Sequence, residues 1–127
     1  VICSLSIEYL LQPVKVLQEA RRVLVPGGLL LITFSNRWFP PKTIRVWSEL
    51  HEFERMGLVL EYFLRTGKFT GLNTFSSRGW PRPETDKYYP DLFVSDPVYA
   101  VWGNTTKSKV QIQLIVDYCP VFWFYFD

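Results

Sequence analysis

Short apolar runs and one amphipathic stretch divide the first 34 residues into three predicted elements. Residues 1–7 are apolar with β-branched positions, which predicts a buried strand. Gln12-Pro13 then opens a predicted helix whose apolar stripe consists of Val16, Leu17, Ala20, Val23 and Leu24. A Pro-Gly-Gly turn follows, and the continuous apolar run Leu29–Phe34 predicts a strand buried on both faces. This order predicts one βαβ unit with two parallel strands.

The pattern is weaker beyond residue 35. Four apolar residues at helical spacing predict a second helical region: Ile44, Trp47, Leu50 and Phe53. Gly57 is expected to break or bend this helix, which resumes over residues 58–64. Residues 68–76 predict a weak strand, and residues 98–102 predict a last strand closed by Gly103. The Pro-rich stretch 79–97 separates them, and its aromatic residues favour a loop packed on the domain: Trp80, Tyr88, Tyr89 and Phe93.

The chain changes character at Asn104. A polar stretch leads into residues 110–127, which are dense in aromatic side chains and interrupted by Asp117 and Pro120. The interruptions exclude a membrane-spanning helix, which needs about 20 largely apolar residues. Alternation over residues 110–114 favours one more strand, and a tail foreign to the domain is the alternative. We therefore divide the chain into a domain over residues 1–103 and an unassigned, aromatic-rich tail over residues 104–127.

Composition agrees with one core-forming domain. The 127 residues are 48% hydrophobic and 20% charged, which excludes disorder as a global description. The net charge is +2 and the basic residues do not cluster, so we expect neither a nucleic-acid partner nor attraction to a membrane surface. The cysteines, Cys3 and Cys119, and the single histidine, His51, cannot supply the four ligands of a structural zinc site, so no metal is expected.

Two features bear on where the protein works. Two cysteines near opposite ends favour no disulfide framework, which fits a reducing compartment such as the cytoplasm or a plastid. The sequence begins with Val1, inside a predicted strand, and we expect the chain to be a piece of a longer protein. The localisation is therefore left open, because a targeting signal would precede this segment.

The first 37 residues carry a specific combination of motifs. A strand containing C-S-L-S (residues 3–6) is followed by a helix ending in R-x-L-x-P-G-G (residues 22–28) and by the apolar strand. This combination resembles the carboxyl-terminal half of class I S-adenosylmethionine-dependent methyltransferases, in particular methyltransferase type 11. The resemblance covers residues 1–103. It implies an α/β fold with part of a Rossmann-like sheet, in which the strands are equivalent to the fourth to seventh, the last two form a hairpin, and helices flank them.

The resemblance also implies a cofactor, an acceptor and the residues that contact them. The cofactor is S-adenosyl-L-methionine, and its methyl group passes to a small-molecule or lipid-like acceptor. The implied cofactor-binding residues are Cys3, Ser4 and Leu5, and the implied substrate-binding residues are Tyr9, Asn36 and Arg37. The residues alone leave alternatives open: strand packing for Cys3, a core or surface role for Tyr9, a turn cap for Asn36 and a solvated Arg37.

No catalytic residue is implied, because a methyl transfer depends mainly on holding donor and acceptor in line. The sequence departs from the family at its cofactor motifs: the glycine-rich GxGxG loop and the acidic residue that binds the ribose are both absent. We therefore expect the isolated chain to bind the cofactor weakly or not at all and to be inactive. The alternative is a non-catalytic partner subunit that pairs its exposed strand, residues 1–7, with a complete methyltransferase.

Overall fold

Four strands form one mixed sheet in the computed structural model, which describes residues 1–106. They are β1 (Ile2–Ser4), β2 (Leu29–Phe34), β3 (Phe69–Ser77) and β4 (Val98–Thr105), in the spatial order β1-β2-β4-β3. β1 is parallel to β2, and β4 is antiparallel to both of its neighbours. The helices are α1 (Pro13–Val23), α2 (Arg45–Glu49) and α3 (Glu52–Thr66), and short 3₁₀ turns cover Ile7–Tyr9 and Pro40–Lys42.

The predicted βαβ unit is confirmed. β1 and β2 pair in parallel, with Ile2 opposite Leu31, and α1 connects them with Pro13 in its first turn. The turn before β2 requires glycine, because Gly27 has a φ of +76° and a Cβ on Gly28 would lie 2.8 Å from a carbonyl oxygen. α1 already ends at Val23, and the two glycines form the turn that sets β2 beside β1.

The hydrophobic core lies on one face of the sheet, which we call the helix face. Alternate side chains of β2 and β4 point to α1, α2 and α3 there; they are Leu30, Ile32, Phe34, Tyr99 and Val101, all at most 1% exposed. The rings of Phe34 and Trp47 meet edge to face with centroids 5.0 Å apart, and Tyr99 stacks on Phe34 at 5.5 Å. Aromatic pairs of this kind add to the stabilisation from burial alone.

The opposite face, which we call the open face, carries no helix among the described residues. The register places Ile2, Leu31 and Trp102 side by side on it. None of the residues on this face belongs to the core cluster; the apolar ones are Ile2, Leu29, Leu31, Phe75, Val98, Ala100 and Trp102, and the polar ones are Ser4, Thr33, Thr70, Asn73, Ser77 and Asn104. In the described strands no Asp, Glu, Lys or Arg occupies a position on this face.

The first predicted strand is too long. β1 ends at Ser4 because Leu5 adopts a φ of +50°, outside the β region. The chain then forms the 3₁₀ turn Ile7–Tyr9, which directs Ile7 into the core with no solvent exposure. Residues 1–7 therefore combine a three-residue strand with a turn.

The prediction of a break at Gly57 is wrong. α3 continues through this residue, while the helical region is interrupted at Leu50 and His51 instead. His51 precedes α3, and its backbone N–H donates to Glu54 Oε2 over 2.7 Å in a capping box. Glycine within a helix costs only about 1 kcal/mol, and burial of neighbours such as Met56 and Val59 offsets that cost.

The last two predicted strands form the expected antiparallel pair, with different limits. β4 continues two residues past Gly103, where a Cβ would lie 2.6 Å from Leu72 Cδ2 of β3. Thr105 exchanges backbone hydrogen bonds of 2.9 Å with Gly27 and Gly28, which extends the ladder. The predicted strand over residues 110–114 and most of the unassigned tail lie outside the described residues. Within residues 1–106, no helix is long and apolar enough to cross a bilayer.

Candidate functional site: the carboxyl-end rim

Three connecting segments meet at one end of the sheet, which we call the carboxyl-end rim. β1, β2 and β3 all end there, and the antiparallel β4 begins there. The rim is therefore built from residues 5–12, residues 35–44 and the long connection 78–97. Ligands of open α/β sheets bind outside the carboxyl ends of the strands, so this end is the candidate site.

The three residues predicted to bind a cofactor divide between the rim and the core. Cys3 is buried in the helix-face core, whereas Ser4 and Leu5 are exposed where β1 ends. Ser4 Oγ accepts a hydrogen bond of 3.0 Å from Thr33 Oγ1, and the Leu5 backbone N–H donates to the Thr33 carbonyl over 2.9 Å. The rim thus presents one hydroxyl and one apolar side chain at this point, and the assignment to a cofactor stays a prediction.

Tyr9 connects the segment after β1 to the segment after β2. Its phenol oxygen accepts a hydrogen bond of 3.0 Å from the backbone N–H of Phe39. Beside it, the Ile44 N–H donates to the Glu8 carbonyl over 3.0 Å. The half-buried Tyr9 therefore positions the loop after β2, and its contact with an acceptor stays a prediction.

Asn36 and Arg37 lie at the rim where β2 ends, and Arg37 is already engaged. Its Nε lies 2.9 Å from Asp96 Oδ2, and its guanidinium carbon lies 4.8 Å from the centre of the Tyr88 ring. Ser35 Oγ donates to the Pro97 carbonyl over 2.6 Å and lies 3.4 Å from Asn36 Oδ1. The contacts of Arg37 with Asp96 and of Ser35 with Pro97 hold the end of β2 against the loop before β4. An anionic acceptor would compete with Asp96 for Arg37.

The sequence-based expectation for the loop 79–97 is correct in part: Tyr88 contacts Arg37 in the segment after β2 and Tyr89 is half-buried, but a buried arginine holds the loop as well. Trp80 and Phe93 are 67% and 66% exposed. Arg82 has only 4% of its side chain exposed; its Nη1 lies 3.2 Å from Asp86 Oδ1, and its Nη2 lies 3.4 Å from Asp96 Oδ1. Nη2 also donates to the carbonyl oxygen of Val94 over 3.0 Å.

Backbone hydrogen bonds make this loop a narrow antiparallel pair. The Arg82 N–H donates to the Phe93 carbonyl, and the Ser95 N–H donates to the Trp80 carbonyl, each over 2.8 Å. Pro81 and Val94 form the bridge between the two halves. Arg82 therefore sits at the centre of a structured loop that leans on Arg37 through their shared partner Asp96.

Tyr88 lies among three cations at this corner. The cationic groups of Arg37, Arg82 and Lys87 are 4.8, 5.6 and 4.6 Å from its ring centre. Hydrogen bonding and charge from Lys87, followed by the charge of Arg37, lower the pKa of the Tyr88 phenol. The pKa of the Asp86 carboxyl is also lowered, first by a 2.8 Å hydrogen bond from the Tyr88 backbone N–H and then by Arg82.

Glu8 is the second buried charged residue that sequence reasoning missed. It is 2% exposed in the turn after β1, and its Oε2 accepts no hydrogen bond. Burial raises the pKa of this carboxyl, while a hydrogen bond from its own backbone N–H works in the opposite direction. No sequence pattern marks Glu8, because its neighbours Ile7 and Leu10 account for the turn by apolar packing alone.

Two further acidic residues have structural partners. Glu52, at the start of α3, lies 3.4 Å from Arg78 and accepts a short hydrogen bond from Tyr99. Glu49 pairs with Arg45 at 2.7 Å. Within residues 1–106 no group of His, Cys, Asp and Glu side chains is arranged to hold a metal ion.

A cavity of about 350 Å³ lies away from the strand ends, between the first turn of α1 and the second half of α3. Val14, Leu58 and Tyr62 line it with apolar surface, and Glu61 and Arg65 pair across 2.9 Å beside it. None of the residues predicted to bind cofactor or substrate lines this cavity. The choice of the carboxyl-end rim therefore rests on the position of the strand ends and not on this cavity.

Comparison with known proteins identifies one segment. Residues 1–32 match the family model for a methyltransferase domain. No curated protein and no solved structure matches the chain. The matched residues contain β1, the turn carrying Glu8 and Tyr9, α1 and most of β2. The match supports a methyltransferase domain, and the four-stranded α/β sheet is compatible with a methyltransferase-like fold.

Proposed function

We propose that this chain is the carboxyl-terminal half of a class I S-adenosylmethionine-dependent methyltransferase domain that acts on a small-molecule or lipid-like acceptor. The main support for the proposal is that the residues matching the family model are also the ones that form the βαβ unit at the rim. The 32 matched residues run from β1 through α1 into β2, and they form the parallel βαβ unit whose strand ends build the rim.

The sheet topology supports the assignment of the four strands to the fourth to seventh of a Rossmann-like sheet. β4 lies between β2 and β3, and β3 and β4 are antiparallel neighbours, as expected of the last two strands. β1 lies at the edge of the described sheet, where the first half of such a domain would continue it. The domain boundary at residue 103 belongs to the same proposal.

The rim fits one wall of a cofactor cleft. Ser4 offers an exposed hydroxyl and Leu5 an exposed apolar side chain where β1 ends, as expected of residues beside the donor. The glycine-rich loop and the ribose-binding acid do not occur in the sequence. We therefore propose that the chain by itself binds S-adenosylmethionine weakly or not at all and transfers no methyl group.

Exposed apolar residues at the rim favour a lipid-like acceptor. Leu5, Phe39 and Phe93 are 56%, 71% and 66% exposed at segments that meet there. Such side chains bind apolar surface and contribute little to recognition of a small polar molecule. The proposed contacts to the acceptor come from Tyr9 and Asn36, with Arg37 available to an anionic group that displaces Asp96.

Complementation tests this proposal. The chain is co-expressed with the amino-terminal half of a class I methyltransferase that carries a glycine-rich loop, and S-adenosylmethionine binding is measured by calorimetry. We expect assembly, cofactor binding and transfer of a radiolabelled methyl group to a lipid extract, with none of these for the chain alone. An assembled complex that neither binds the cofactor nor transfers the label would contradict the proposal.

The free edge of β1 also supports the partner-subunit alternative. Alternation in a parallel pair directs the Ile2 N–H away from β2, since the Leu5 N–H and the Val1 carbonyl bond to that strand. Ile2→Pro removes this donor from the free edge, so we expect it to prevent assembly in the complementation experiment. If the chain assembled with a complete methyltransferase but with neither the amino-terminal nor the carboxyl-terminal half of one, the result would favour the non-catalytic subunit.

A further inference from the structure

The open face of the sheet carries exposed apolar side chains among polar but uncharged ones. Three of its apolar side chains are well exposed in the described structure: Leu29 at 42%, Val98 at 48% and Phe75 at 55%. A solvated face of an antiparallel sheet normally carries polar residues, whereas apolar residues on both faces indicate a sheet buried on both. Phe75 and Val98 lie near one end of the face and Leu29 lies at the other, with the half-buried Leu31 and Trp102 between them, and exposed apolar surface of this kind marks an interaction site.

The chain itself contains an apolar segment of suitable size. Thirteen of the 17 residues 110–126 are hydrophobic, against 48% for the whole chain. Asp117 is the only charged residue among them, and it would meet no charge on the open face. Two uncharged apolar surfaces in one chain gain more from burial against each other than from solvation, at about 25 cal/mol per Å² removed from water.

The described part of the chain leaves this segment beside the face. β4 is an inner strand of the sheet. Thr106, the residue that follows β4, donates its N–H to the Lys68 carbonyl over 3.1 Å. Four strands at about 4.8 Å spacing give the face a width of about 15 Å and, at six residues, a length of about 20 Å. Seventeen residues cover about 25 Å even at the 1.5 Å rise of a helix, so the reach suffices in any conformation.

We propose that residues 110–126 dock on the open face of their own chain. The three residues 107–109, two of which are lysines, are the connection. A segment joined by so short a connection has an effective concentration of about 1 mM at the face, well above that of any free partner at micromolar concentration. The docking does not depend on the proposed methyltransferase function.

Cys119 provides a reporter within the segment, and the full-length chain is used throughout. Cys3→Ala removes the other cysteine. A single new cysteine is then placed on the open face with Phe75→Cys or, as the matched control, on the exposed surface of α3 with Leu64→Cys, where Leu64 is 63% exposed. Both variants at about 1 μM are treated with a short bismaleimide, and cross-linked peptides are mapped by mass spectrometry.

We expect an intramolecular link between Cys119 and the cysteine at position 75, at least about tenfold more than with position 64, as the difference in effective concentration implies. Circular dichroism checks that each variant is folded, and Val98→Cys replaces Phe75→Cys if the latter does not fold. Equal yields at the two positions, no link from the open face, or links only between two molecules would each overturn the proposal. The last outcome would show that a second copy covers the face.

Discussion

Glu8 and Arg82 are both buried charged residues at the carboxyl-end rim, and the fold accommodates them in opposite ways. Arg82 has two carboxylates and a carbonyl oxygen within 3.4 Å of its two terminal guanidinium nitrogens, and only its Nε has no hydrogen-bond partner. Glu8 has an oxygen with no hydrogen-bond donor, and burial raises the pKa of its carboxyl. The difference shows that a buried charge is tolerated either through partners or through a bias toward its neutral form.

The difference between Arg82 and Glu8 bears on where the rim could bind a ligand. We refer to the surroundings of each residue as a corner of the rim. The corner at Arg82 is a closed network, because Asp96 is shared between Arg37 and Arg82. The corner at Glu8 keeps an unused acceptor beside Tyr9, in the segment that matches a methyltransferase domain. Unpartnered buried polar groups are exceptional in folded proteins, so the Glu8 carboxyl has capacity for a new contact.

The largest effect is expected from removing Arg82. Arg82→Met leaves the carboxylates of Asp86 and Asp96 without their buried partner, and we expect a loss of about 2–3 kcal/mol in unfolding free energy, less than for a wholly buried pair because both acids are about one-third exposed. Urea denaturation measures it. The matched control is Arg78→Met, because Arg78 is 57% exposed and contacts Glu52 at 3.4 Å, which predicts less than about 1 kcal/mol. Equal losses of unfolding free energy for Arg82→Met and Arg78→Met would show that the buried ion pairs of Arg82 stabilise the fold no more than an exposed pair does.

The opposite sign is expected for Glu8. The raised pKa means that the folded protein holds the proton more tightly than the unfolded chain, so the stabilisation is complete below the ordinary glutamate pKa and is lost as pH rises through the folded pKa. Glu8→Gln is neutral at every pH, and we expect it to stabilise the protein by about 1 kcal/mol at pH 7 and to flatten this dependence. Denaturation curves from pH 4 to 8 test the sign; a wild-type protein that gains stability over that range, relative to Glu8→Gln, would contradict it.

A smaller effect is expected for the neighbour of Glu8. Tyr9→Phe removes the oxygen that accepts the Phe39 N–H, and we expect a loss of about 0.5–1 kcal/mol because that N–H lies at an exposed residue and can bond to water. Hydrogen exchange of the Phe39 amide is the sensitive measurement. Unchanged protection of this amide would show that Tyr9 does not position the loop after β2.

The smallest effect is expected for Arg37, which shares Asp96 with Arg82. Arg37→Met breaks a contact whose side chains are 44% and 36% exposed, and we expect less than about 0.5 kcal/mol. The comparison variant Asp96→Asn also weakens the contact to Arg82 and should cost more than Arg37→Met. A cost for Arg37→Met that matches Arg82→Met would make the corner one indivisible network.

Local sequence signals accounted for the βαβ unit and its edge position. Three local features predicted it: Pro13, the glycine turn and the apolar run Leu29–Phe34. Each affects the structure of only a few neighbouring residues, so its effect can be predicted from the sequence. The predicted limits of α3 and β1 were wrong where tertiary packing or backbone geometry, and not the local pattern, determines the structure. Met56 and Val59 carry α3 through Gly57, and Leu5 leaves the β region where an apolar run predicts a longer strand.

The candidate site was predicted in its location but not in its chemistry. Placement of Ser4, Leu5, Tyr9, Asn36 and Arg37 near strand ends follows from the order of elements. The ion-pair partners of Arg37 and the burial of Glu8 depend on contacts between segments far apart in the chain, such as Arg37 with Asp96. A single sequence carries no signal for such pairs, and the role of Arg82 emerges only from the folded loop.

The glycine turn before β2 also constrains the order of folding. Gly27 and Gly28 bond to Thr105, and β2 has β4 as its second neighbour, so the centre of the sheet pairs residues that are between 65 (Phe34 with Tyr99) and 75 (Leu29 with Asn104) positions apart in the chain. During synthesis, β2 leaves the ribosome long before β4 exists, and one of its edges stays open for that interval. Closure of such long-range pairs is slow. A nascent chain is therefore exposed to mispairing until Thr105 has emerged, and binding of a chaperone to residues 29–34 would be strongest in that window.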